Sequence, residues 1–126
     1  MVELDVEGES AQPVNRILNR QEMMKMKSLV QDVPSAQDMR DKAIELVRAT
    51  RTAETVEFGA SARASMGLVR TAKARAFLEG RNYVSWEDVT AMAIPVLRHR
   101  ILLDFRAERD GVTSEDVIRE LVSEFS

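Results

Sequence analysis

Apolar residues recur along most of this chain at intervals of three and four, the period of a helix with one buried face. From Asn19 onward, Met23, Met26, Leu29, Val30 and Val33 trace one such stripe. Asn19, with Glu22 three positions on, has the spacing of a capping box, and Pro34 closes the segment by driving Val33 out of the helical region. Ser35 reads as the N-cap of a second helix, with Asp38 in its first turn and Arg48 and Arg51 near its end, where the helix dipole favours those charges. Its apolar face is Met39, Ala43, Ile44, Leu46 and Val47. A third helix runs from about Ser61 to Glu79 on Ala64, Leu68, Val69, Ala72, Ala76 and Phe77, with Gly80 placed to end it in the left-handed conformation. Ser85 and Asp88 open a fourth helix that buries Val89, Met92, Ala93, Val96 and Leu97, and Pro95 inside it predicts a kink. After the turn at Asp110-Gly111, Thr113 or Ser114 caps a fifth helix carrying Val117, Ile118, Leu121, Val122 and Phe125.

Val56 to Phe58 has the character of a short extended piece, and no partner strand is visible for it in the sequence. Residues 1–18 lack the period and include Gly8, Ser10 and Pro13, so they read as a linker or tail. Residues 19–126 then form one all-α domain, a small bundle of about five helices.

Composition narrows the chemistry. The chain has 126 residues, 44% hydrophobic and 31% charged, the balance of an ordinary globular domain. It contains no cysteine, which removes disulfides and thiolate chemistry. None of the five glycines opens a phosphate-binding loop followed by Lys-Ser or Lys-Thr, so no P-loop is present and independent ATP hydrolysis is not expected. His99 is the sole histidine, which leaves neither a metal site nor a histidine-based triad to assemble. The acidic pairs Glu87/Asp88 and Glu115/Asp116 fall in first turns of helices, where capping and the dipole account for them. The longest apolar run, Ala91 to Leu97, contains a proline and is far short of the roughly 20 residues a membrane helix needs. With an acidic start that lacks the apolar stretch of a signal peptide, a cytoplasmic location is the expectation.

Charge is unevenly spread. The chain totals −3, but residues 60–100 carry +4 between flanks of −3 and −4. Within that island Arg70, Lys73 and Arg75 form either a basic patch or a solvated helix face. Arg98, His99 and Arg100 could meet a nucleotide or a neighbouring protomer, or simply decorate a helix end. Met23, Met24 and Met26 could make an adaptable binding surface, with core packing the expectation. Trp86 reads as a surface residue or an anchor for a neighbouring subunit.

One ordered set of segments is more specific than any of these. Gly59-Ala60-Ser61-Ala62-Arg63-Ala64 opens the third helix, which continues through Arg70, Lys73 and Arg75 to Leu78-Glu79-Gly80-Arg81. Tyr83-Val84-Ser85-Trp86-Glu87-Asp88-Val89 and Pro95-Val96-Leu97-Arg98-His99-Arg100 follow. In this order they resemble the C-terminal lid of MoxR-type AAA+ ATPases, strongly over residues 57–103 and more loosely over 19–124. Two positions depart from the family pattern: Ala62, where proline is common, and Trp86, where a smaller residue or proline is often found.

The resemblance implies that Arg63 is the sensor-2 arginine and that Ser61, Ala62 and Arg63 lie at the nucleotide, an ATP whose Mg²⁺ is held by a core domain. It implies an ATPase parent with chaperone-like activity in maturing other proteins. The partners it implies are the protein's own N-terminal ATPase core, neighbouring subunits of a hexameric ring, and von Willebrand factor A-domain proteins, with no membrane partner. The placement makes physical sense: a helix N-terminus attracts anions, and an arginine there repels the dipole until an anion joins it. Two other readings stand beside it: a free-standing helical adaptor binding a protein through the first helix or Trp86, and a helical nucleic-acid binder using the +4 segment. Acidic flanks weigh against the last, because they repel phosphates.

Overall fold

A computed structural model describes residues 12–125. Over these residues the chain forms six helices and two short strands: α1 (Arg20–Gln31), α2 (Gln37–Thr52), β1 (Val56–Phe58), α3 (Arg63–Leu78), α4 (Trp86–Leu97), β2 (Leu102–Leu103), α5 (Phe105–Arg109) and α6 (Ser114–Glu124). The architecture is the expected small all-α bundle, with one two-stranded ribbon added. Of the predicted linker, residues 1–11 lie outside the described part, and residues 12–19 are irregular and exposed apart from a half-buried Leu18.

Helix starts follow the sequence closely where a capping box exists. Asn19 with Glu22, Ser85 with Asp88 and Thr113 with Asp116 each form the reciprocal pair, closing α1, α4 and α6 at their N-termini. Gly80 and Gly111 take positive φ, 78° and 83°, and turn the chain after α3 and α5. α4 continues through Pro95 to Leu97.

The core is built from Leu46 and Val47 of α2, Leu68 of α3, Val89 and Leu97 of α4 and Ile118 of α6, all essentially inaccessible to solvent. Between them α3 presents Ala64, Leu68, Ala72 and Ala76 at four-residue intervals, and α4 presents Ala93. Small residues along that ridge let α3 and α4 pack closely, and theirs is the most extensive interface in the molecule. Among the described residues no helix is long and apolar enough to cross a membrane.

The structure corrects several sequence expectations. Ser35 does not cap α2; the cap is Ala36, whose side chain cannot accept a hydrogen bond, and the Ser35 hydroxyl is buried without a partner among the described residues. Val56–Phe58 does have a strand partner: it pairs antiparallel with Leu102–Leu103, through a register irregularity. A two-residue strand has no periodicity to read, and its pairing spans more than forty residues of chain. α5 escaped notice for the same reason, since five residues cannot complete two turns of pattern. The methionines of α1 are not core: Met23 and Met24 are exposed, Met26 is half-buried, and α1 has no buried residue at all. Ile44 of α2 is likewise 42% exposed.

Candidate functional site: the start of helix α3

The segment Gly59 to Arg63 leaves β1 and enters α3 across the C-terminal end of α2. Two side-chain bonds fasten it there, and a third, within α2, orients the Thr50 hydroxyl that accepts one of them. The Ala60 amide donates to Thr50 Oγ1 at 3.0 Å, Arg51 Nε donates to the Ala60 carbonyl at 3.0 Å, and Thr50 Oγ1 donates to the Val47 carbonyl at 2.6 Å. Thr50 and Ala60 are both buried. Gly59 is required by close approach: a Cβ there would lie 2.6 Å from the backbone of Thr50 and Arg51. That separation is far inside van der Waals contact, so only glycine lets the loop sit this low on α2.

From that clamp the chain turns into α3 with no side-chain cap. Ala62 occupies the cap position, the first turn contains no acidic residue, and the Ser65 hydroxyl donates to the Ala62 carbonyl at 2.6 Å. Ser61, Ala62 and Arg63 are all exposed. The Arg63 side chain forms no hydrogen bond or ion pair with any described residue. A guanidinium at the positive end of a helix dipole, without a counter-charge, is a local cost, and a free forked donor beside it is suited to a planar or tetrahedral oxyanion. The three residues expected at the nucleotide thus share one exposed, rigidly anchored helix start.

Other candidates have found partners inside the molecule. Arg75, read as part of either a basic patch or a solvated helix face, instead binds Asp88 at 2.8 Å. Arg81 forks onto both oxygens of the same carboxylate, and the Ser85 amide and hydroxyl donate to it at 2.9 and 3.1 Å. Asp88 is completely buried. The Arg81 guanidinium, helped by the Ser85 amide and Arg75 against the cost of burial, holds the Asp88 carboxyl well below the ordinary carboxylate range. Arg98 pairs with Glu115 of α6 at 3.2 Å and its Nε donates to His99 at 3.2 Å, while Arg100 is exposed. Trp86 packs half-buried against the core, with Lys42 Nζ 4.5 Å from its ring centre.

A family profile described as the AAA lid domain matches residues 48–121, well over half of the chain. The chain belongs to the AAA lid family. Its relatives place it within the MoxR type. It is 37% identical over 91 residues to the chaperone MoxR1 of Mycobacterium tuberculosis, covering 65% of this chain and 24% of that one. It is 30% identical to YeaC of Bacillus subtilis, a protein of uncharacterised function, over 96% of this chain and 39% of YeaC. A crystal structure of a presumptive ATPase from Cytophaga hutchinsonii superposes with a TM-score of 0.83 at 30% identity, covering 96% of this chain and 41% of that one. The chain therefore spans only about a quarter to two-fifths of the length of these proteins.

The sequence motif singles out Arg63 but gives no sign of what anchors the helix start that carries it. Thr50 and Arg51 sit nine to thirteen residues upstream in a different helix, and their bonds to Ala60 leave no local signature. Gly59 was visible as a motif residue, but its reason, the backbone of α2 beneath it, exists only in the folded lid. The Arg75–Asp88–Arg81 cluster had a partial signal: Asp88 as a capping residue was legible, whereas two arginines converging on it were not.

Proposed function

We propose that this chain is the lid of a MoxR-like ATPase, closing over ATP bound to a core domain and presenting Arg63 to its terminal phosphates. The observation that carries this is the state of Arg63: exposed, without a side-chain partner among the described residues, and at the uncapped start of α3, just after a loop that Gly59, Thr50 and Arg51 pin to α2. Bound ATP would supply the phosphoanhydride whose hydrolysis drives the cycle, with its Mg²⁺ held by the core. Arg63 would supply forked hydrogen bonds and charge, the first-turn amides of α3 would add their partial positive charge, and Ser61 stands beside them as a hydroxyl donor. No P-loop occurs in these 126 residues, so the lid's part is to orient and neutralise while the core binds.

Within the longer protein this reading extends to a ring of subunits and to chaperone-like maturation of other proteins, supported by the likeness to the chaperone MoxR1. A von Willebrand factor A-domain partner belongs to the same proposal and rests on family resemblance. The lid alone should bind nucleotide poorly, since a charge-assisted hydrogen bond contributes about 1.5–3 kcal/mol while association costs at least about 4 kcal/mol.

The test is Arg63→Ala in the longer ATPase. Hydrolysis should fall on the order of 10³-fold, the scale for losing a transition-state arginine in phosphoryl transfer, while Arg63→Lys recovers only part of it. Unchanged hydrolysis in Arg63→Ala would remove the sensor-2 role and leave the lid assignment standing.

A further inference from the structure

A groove of about 370 Å³ opens where α1, α2 and α3 meet, away from the clamp just described. Its floor is apolar: Val30 of α1, Ile44 of α2, and Met66 and Val69 of α3. Ile44 and Met66 remain 42% and 63% exposed, so the floor is open to solvent. Its rim is cationic. Arg40 comes from α2, and Arg70 and Lys73 from α3, and among the described residues no carboxylate lines the groove.

None of the three cations is paired with a carboxylate of any described residue. Arg40 donates to the neutral Gln37 side chain at 2.6 Å, and Lys73 Nζ donates to the Gln31 carbonyl at the end of α1 at 3.1 Å. Arg70 is exposed, and its side chain makes no hydrogen bond or ion pair with any described residue. Elsewhere the molecule does pair its arginines, as with Arg75 and Arg81 on Asp88 and Arg98 on Glu115. Lys73 also holds the third wall: its bond to Gln31 ties α1 to α3, and α1 has no buried residue of its own to do so.

We propose that this groove docks an acidic amphipathic segment of a partner protein, its apolar side chains on Ile44, Met66 and Val69 and its carboxylates on Arg40, Arg70 and Lys73. Charge complementarity selects the occupant. The apolar floor argues against a bare polyanion, and among the described residues no aromatic side chain lines the groove to stack a nucleic-acid base. The groove also lies between helices, the usual seat for a peptide laid along an apolar trough. This inference stands apart from the role of Arg63 and is tested on the lid alone.

The experiment selects a displayed library of random twelve-residue peptides on the immobilised 126-residue chain, followed by methyl NMR with the enriched peptides. Enrichment of peptides combining acidic with large apolar residues is expected, with saturable shifts at the Ile44 and Met66 methyl groups. Arg70→Glu with Lys73→Glu should weaken binding about tenfold or more, and raising the salt should weaken it further. Ile44→Asp, a substitution at an exposed position, should abolish binding while the rest of the spectrum stays native. No enrichment, or enrichment of neutral or basic peptides, overturns the proposal. So do shifts of the same methyl groups on Glu3→Lys or Glu7→Lys, which would mean the chain fills its own groove, and burial of those methyls by concentration-dependent dimerisation.

Discussion

Arg63 and Gly59 stand four positions apart in one motif, yet the structure assigns them opposite dependencies. Gly59 is a packing residue whose missing Cβ makes room for the backbone of Thr50 and Arg51. Gly59→Ala should therefore destabilise the isolated lid by about 1–3 kcal/mol, the usual cost of forcing atoms into filled space, measured as a lower urea midpoint at unchanged m-value. Because backbone rather than a flexible side chain lies beneath it, the loop must lift, and Arg63 moves with it. Arg63 itself is exposed, and its side chain has no polar partner among the described residues. Arg63→Ala should leave the lid's stability within about 0.5 kcal/mol of the parent, with any gain attributable to removing a cation from the positive end of α3. A large loss of stability on that substitution would show that the side chain has a structural partner after all.

Elements differ in what holds them. α3 and α4 share a long interface of alanine against leucine and valine, while α2 and α6 bury Leu46, Val47, Val117, Ile118 and Leu121 in the same core. α1 has good local credentials, a complete capping box and a run of helix-forming residues, but no buried side chain. Local propensity alone leaves a twelve-residue helix marginal in water. The amides of α1 should consequently exchange with solvent far faster than those of α3 and α4, approaching unprotected rates, in a hydrogen-exchange experiment on the lid. Protection of α1 equal to that of α3 would contradict its loose attachment. The exposure of Met23, Met24 and Leu29 on the same element reverses the core assignment that their helical spacing invites: periodicity identifies a stripe, but not whether anything lies against it.

At the scale of the whole molecule, Asp88 is the point where α3, the turn after it and α4 are tied together by charge. Its carboxyl titrates well below the ordinary range in the folded lid because Arg81, Ser85 and Arg75 all favour the ionised form. In the unfolded chain it returns to about 3.9. The stabilisation is therefore complete above about pH 4 and is lost as the pH falls toward the depressed folded value, since the unfolded state then binds more protons. Asp88→Asn should lower stability at pH 7 by about 2–3 kcal/mol, below the full cost of breaking a buried pair because both arginines are about a quarter exposed and keep some water. The variant should also show a flatter decline below pH 4, measured by urea denaturation across pH; an acid profile identical to the parent would show that another carboxylate carries the dependence. How far this was legible follows from range. Capping boxes, the glycine stops and the apolar faces of α2, α3, α4 and α6 are local patterns, each set within a few residues by hydrogen-bond geometry and a 3.6-residue period, and the chain alone determines them; so too the motif that marks Arg63. The pairing of β1 with β2, the seating of Ala60 on Thr50, the convergence of Arg75 and Arg81 on Asp88 and the open side of α1 join residues that are distant in sequence or depend on which face finds a neighbour. Only packing decides those, because the free energy of a buried contact belongs to the pair and not to either residue.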